Sequence, residues 1–168
     1  MKKSKLVAFF GLCTALAMIL AYVEVLLPPL FPAVPGIKMG LPNIIIIFLL
    51  YRRGPLPAIA VSLLRVVLVS MLFSNAMSLL YSLSGAILSL LVMILLRRFN
   101  LLSAVGVSVA GGVAHNVGQI LMAMLLLETT ELMYYLIVLI VTGTIAGVLI
   151  GLAGSLLIKR IPERLIKL

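Results

Sequence analysis

Aspartate is absent from this 168-residue chain, and its four acids are the glutamates at 24, 128, 131 and 163. Hard cations such as Mg²⁺ need carboxylate oxygens, so paired-aspartate sites of the kind that hold Mg²⁺ and diphosphate in prenyl-transfer enzymes are excluded. One histidine, His115, and one cysteine, Cys13, cannot assemble a zinc, iron–sulfur or bis-histidine haem site. A lone Cys13 also rules out an intrachain disulfide and reads as a small packed apolar residue. No nucleophile stands with a base and an orienting acid. No phosphate-binding glycine loop followed by Lys-Ser/Thr occurs, so any use of ATP has to come from another subunit. We therefore expect no catalytic residue, no metal and no enzyme activity.

Charge is scarce too. Charged residues make up 10% of the chain and hydrophobic ones 64%, with a mean hydropathy of +1.36. Ordinary soluble domains carry about a quarter charged residues. Several apolar runs exceed the ~18 residues that mark a membrane span. Charge and proline punctuate them into six segments, at about 6–27, 37–51, 55–73, 77–96, 101–127 and 132–158. This predicts an all-α, polytopic membrane protein of six transmembrane helices, with 1–168 as one integral membrane domain. The first segment begins Lys2-Lys3-Ser4-Lys5 but is longer than a signal-peptide core, and it reads as a retained helix.

Basic residues are distributed unevenly. With both termini in the cytoplasm, Lys2, Lys3, Lys5, Arg52, Arg53, Arg97, Arg98, Lys159, Arg160, Arg164 and Lys167 all fall inside, which is eleven of the thirteen. The positive-inside bias then sets an N-in, C-in topology in the cell membrane. It also accounts for the net charge of +9 without nucleic acid, leaving some attraction to anionic lipid head groups. The basic stretches lack the interleaved aromatics of a nucleic-acid binder.

Segment 2 is short, about 15 residues or ~22 Å of helix against a hydrocarbon core of ~30 Å. It contains Gly40 and Pro42, and the preceding run 28-PPLFPAVPG-36 cannot be a continuous helix. Two readings stay open: a stiff outer connection into a short span, or broken backbone lining a cavity at membrane depth.

Arg65, in 62-SLLRVVLVS-70, is the sharpest anomaly. It lies ~15 Å into its span, too deep for easy snorkelling, and arginine cannot shed its charge. It must face the protein interior and meet an acceptor. Glu24 is the one acid within a span, about one turn from the outer end of segment 1, roughly two turns (~10 Å) from Arg65 in nominal depth. Either the two form a structural pair or the guanidinium fork awaits an anionic ligand. A second polar group lies in 106-GVSVAGGVAHNVGQI-120. His115 and Gln119 share a helix face at i,i+4 and Asn116 lies beside them. These residues either bond across a helix interface opened by small residues or line a ligand site. Asn43 is a further candidate lining residue. The small-residue stripes Gly11-xxx-Ala15 and Ala17-xxx-Ala21 suit close packing, within the chain or against a partner.

The ordered set TALAMILAYVE, PGIKMGLPNI, SLLRVVLVS, YSLSGAILSLLVM and GVSVAGGVAHNVGQ resembles the Gx transporter family, also labelled heptaprenyl diphosphate synthase component I, over about residues 14–155. That family is similar to the S components of energy-coupling factor transporters, six-helix bundles that capture a vitamin-like molecule near the outer face and dock on a T subunit and two ATPases. The resemblance implies that Gly11, Ala15, Ala17 and Ala21 form a docking stripe, and that Glu24, Lys38, Asn43, Arg65, His115, Asn116 and Gln119 surround a small, anionic, vitamin-like or isoprenoid- or quinone-related ligand. Two alternatives stand beside uptake. One is a membrane subunit of a flavin- or quinone-linked extracellular electron-transfer system, with 84-SGAI-87 as a weak flavin-attachment signal or a packing patch. The other is a non-catalytic partner of a prenyl diphosphate synthase.

Overall fold

A computed structural model describes residues 2–27 and 38–162. The proline-rich run 28–36 and the tail holding Glu163, Arg164 and Lys167 lie outside the described residues. Among the described residues six α-helices follow one another: α1 (Lys2–Leu26), α2 (Asn43–Arg53), α3 (Pro55–Phe73), α4 (Ala76–Arg98), α5 (Ala104–Leu127) and α6 (Leu136–Arg160), with a 3-10 turn at Glu131–Tyr135 before α6. No strand occurs among the described residues.

Local chemistry sets the boundaries. Gly54, at φ +96°, turns the chain between α2 and α3, and Pro55 begins α3, where its missing N–H costs nothing. The Asn75 side chain accepts from the Ser78 amide at 2.9 Å to start α4, and Ser103 accepts from Gly106 at 3.3 Å to start α5. Both are N-caps. Glu128 closes α5 in the left-handed conformation, at φ 50°.

Among the described residues five helices are long and apolar enough to cross a membrane: the stretches Lys3–Leu26, Pro55–Phe73, Ala76–Arg98, Ala104–Leu127 and Glu131–Arg160. Leucine, isoleucine and valine cover their outward faces, as at Leu12, Leu64, Leu91, Leu125 and Leu149. Such extensive exposed apolar surface belongs in lipid.

The second predicted span needs correction. Helix α2 runs 11 residues from Asn43, and residues 38–42 are not helical. Pro42 and Gly40, at φ +88°, explain the late start. At ~1.5 Å per residue α2 is ~16 Å long, about half the hydrocarbon core. Its sequence is apolar all round because protein, not lipid, surrounds it: Ile45, Ile46, Ile47, Phe48, Leu49 and Leu50 are all buried, among α1, α3, α5 and α6.

One end of the bundle collects the basic residues. Arg52 donates to the carbonyls of Ile158 and Ile161 at the end of α6. Arg97 donates to the Tyr51 carbonyl at 3.2 Å and lies over the Tyr51 ring at 5.2 Å. Arg53 lies over Phe10 at 5.7 Å. The charge pattern read as topology thus corresponds to a real clustering at the ends of α2, α4 and α6. Because α2 is anchored here and is short, its other end stops partway through the bundle. The non-helical residues 38–42 lie above it.

Candidate functional site

The space above α2 is where the unusual polar residues meet. Helix α1 brings Glu24, α2 brings Asn43, α3 brings Arg65, and α5 brings His115 and Gln119. The segment 38–41 lies among them. The Glu24 Oε1 atom accepts from the Leu41 amide at 2.7 Å, and Gln119 Oε1 accepts from the Lys38 amide at 3.4 Å. A Cβ placed on Gly40 would come within 3.0 Å of Asn43 Nδ2 and 3.7 Å of His115 Cδ2. That closeness, together with its positive φ, explains glycine at position 40.

Helix α4 contributes through an absence. A Cβ on Gly85 would lie 2.8 Å from the His115 carbonyl, 2.9 Å from Gln119 Cγ and 3.0 Å from His115 Cε1. Glycine here lets α4 close on α5 directly against the two polar side chains. Sequence reasoning took 84-SGAI-87 only as a packing patch or a weak flavin signal and missed Gly85 as a wall of the site. The Ser84 hydroxyl donates within reach of two carbonyls, Tyr81 and Gly118, each at 2.9 Å. It acts as a tie between α4 and α5.

Arg65 is 3% exposed, so the guanidinium faces protein and not lipid. Its Nε and Nη2 are buried without a hydrogen-bond partner. Glu24 lies within electrostatic reach of it. Nonetheless, no hydrogen bond joins them: Glu24 Oε2 is also buried and unpartnered. His115 Nδ1 and Gln119 Nε2 are in the same condition. Lys38 is within electrostatic reach of both Glu24 and Arg65. Buried polar groups in native proteins are almost always paired. Together these atoms form a buried polar cluster, the pit, whose hydrogen-bonding capacity the described residues leave unfilled.

Two groups of predicted residues separate from the pit. Asn116 Nδ2 donates to the Leu139 carbonyl of α6 at 2.8 Å, placing that side chain on the α5–α6 contact and away from Gly85. One step along a helix turns a side chain by ~100°, enough to divide Asn116 from His115. Of the proposed docking stripe, Ala17 and Ala21 are 0% and 1% exposed and pack inside the chain, whereas Gly11 and Ala15 are exposed.

A polar pit enclosed by long apolar helices defines a polytopic membrane-embedded protein. The chain belongs to the family described as heptaprenyl diphosphate synthase component I, whose model matches residues 13–157. This is the Gx transporter family that the ordered motifs resemble. No curated protein and no solved structure matches the chain.

Proposed function

We propose that the chain is the substrate-binding subunit, or S component, of an energy-coupling-factor-type uptake transporter, set in the cell membrane with both termini in the cytoplasm. It captures a small anionic molecule from outside. One observation carries this reading: the permanently charged Arg65 is buried with two N–H donors unpartnered. A purely structural arginine would be expected to be hydrogen-bonded, since burying an unpaired charge is costly. A guanidinium held open in a polar pit is suited to an arriving anion. The segment 38–41 then lies at the outer mouth, and a ligand enters beside it.

The chain lacks the paired carboxylates and the phosphate loop that group transfer or ATP hydrolysis would need, so movement of the substrate is driven by partners, a T subunit and two ATPases. The exposed small residues Gly11 and Ala15, beside exposed Leu12 and Leu16, offer a close-packing face for the T subunit.

Native mass spectrometry of the detergent-purified protein tests the capture. The wild type should retain a small molecule that Arg65→Gln loses while remaining folded. Retention by the variant would refute anion capture. The family's description favours a second role, a non-catalytic membrane partner of a prenyl diphosphate synthase. Co-purification with a soluble synthase, and without ATPase subunits, would select it.

A further inference from the structure

Taking the capture role as its premise, we propose that the ligand is a monocarboxylate that also carries a hydrogen-bond donor, set apart from its carboxylate, for Glu24. The unpartnered atoms of the pit specify both ends.

At Arg65 the fully buried atoms without a partner are Nε and Nη2. These two N–H groups lie on one edge of the planar guanidinium and point the same way. They match the two oxygens of a carboxylate, as a single hydrogen-bond acceptor would not. At Glu24 the requirement is opposite. Oε1 is occupied by the Leu41 amide, and Oε2 is buried and bare. An ionised carboxylate only accepts hydrogen bonds. A ligand offering nothing but an anion would leave Oε2 orphaned and place a second negative charge near it. A ligand with a hydroxyl, amide or ring N–H directed at Glu24 removes both problems. Gln119 fits between them: its carbonyl oxygen is turned to the Lys38 amide, which leaves its NH₂ facing the pit as a further donor.

Charge decides the class of anion. Arg65 and Lys38 set against Glu24 leave one positive charge in the pit. A monocarboxylate balances it, while a dianionic phosphate overshoots.

The test uses the full-length protein in detergent and three matched sets of linear probes of graded length: ω-hydroxycarboxylates, the corresponding ω-methoxycarboxylates and the unsubstituted carboxylates. The methoxy acids keep the size and the oxygen but cannot donate. Affinities come from calorimetry, with thermal shift as a second readout. At the length that spans Arg65 to Glu24, the hydroxy acid should bind at least tenfold tighter than its methoxy and unsubstituted partners. Glu24→Gln keeps an acceptor for Leu41 but removes the charged one, and should shrink that advantage to a few-fold, with the unsubstituted acid binding more tightly because a negative charge near its carboxylate is gone. Equal binding of all three sets at every length overturns the donor requirement and leaves anion capture standing. Binding of none of the acids overturns both. The wild-type comparison decides even where the variant fails to fold.

Discussion

Helix α5 carries two polar faces with opposite fates. Toward α6, Asn116 donates to the Leu139 carbonyl, and glycines bring the backbones into contact: a Cβ on Gly147 would meet Val109 Cα at 2.6 Å, and one on Gly112 would meet the Gly143 carbonyl at 2.7 Å. Toward the pit, His115 and Gln119 are as deeply buried, at 2% and 0% exposure, yet each keeps an unpartnered nitrogen. Burial is equal and bonding across the bundle is not: Asn116 Oδ1 is unpartnered too, but its Nδ2 is tied to α6, whereas His115 Nδ1 and Gln119 Nε2 find no partner. On the first face a side-chain bond joins α5 to α6, while on the second His115 and Gln119 hold nitrogens that nothing in the described chain bonds, which under the proposed capture role await a ligand. The difference between a bonded seam and a cluster of unpartnered nitrogens sets two kinds of buried polarity side by side on one helix.

The largest expected effect lies at the pit. Arg65→Gln should weaken ligand retention by at least a hundredfold, since a bidentate charged contact is lost. The same change should leave the thermal midpoint of the empty protein unchanged or raise it, because an unpaired buried charge destabilises its surroundings. Native mass spectrometry and a melting curve on one sample read both. A collapse of stability with unchanged retention would erase the distinction between the two faces.

The seam should respond the other way. Gly147→Val forces side-chain carbon against backbone at Val109 and Ser108, which cannot swing aside. Overpacking of this kind costs about 1–3 kcal/mol. The melting midpoint should fall while the folded fraction retains ligand as well as wild type does. Asn116→Ala is milder. It removes the bond to Leu139, and interhelical hydrogen bonds in membranes average about 0.6 kcal/mol. Loss of retention without loss of stability in this variant would return Asn116 to the pit.

Much of this was legible from sequence. Long apolar runs ended by Arg52-Arg53, Arg97-Arg98 and Lys159-Arg160 marked α2, α4 and α6, since charge at a helix end needs only the water boundary. Arg65, His115 and Gln119 stood out because each is costly where the pattern places it. Helix α2 starts later than the apolar run suggests, the described residues 38–42 being non-helical, because apolar composition does not distinguish a span from a helix wrapped in protein. Asn116 parts from His115, its Nδ2 turned to Leu139 of α6, because adjacency in sequence is divergence on a helix. Gly85 and the amides of Lys38 and Leu41 left no signal: a glycine among small residues looks like packing, and a backbone N–H belongs to every sequence.

The smallest effect is expected where a glycine touches nothing. Gly11 and Gly147 are the same residue in helices of similar composition, but a Cβ on Gly11 would find no atom within 4 Å. Gly11→Leu should therefore change the stability of the isolated chain by less than about 0.5 kcal/mol, as surface substitutions do. If a T subunit packs on that face, the added side chain holds the two helices apart, and co-purification with the T subunit and ATPases should fall while retention of the small molecule persists. Undiminished co-purification would move the partner to another face of the bundle and leave the pit untouched. The comparison between the two glycines thus tests whether small residues on α1 serve an absent neighbour in the way that those on α6 serve a present one.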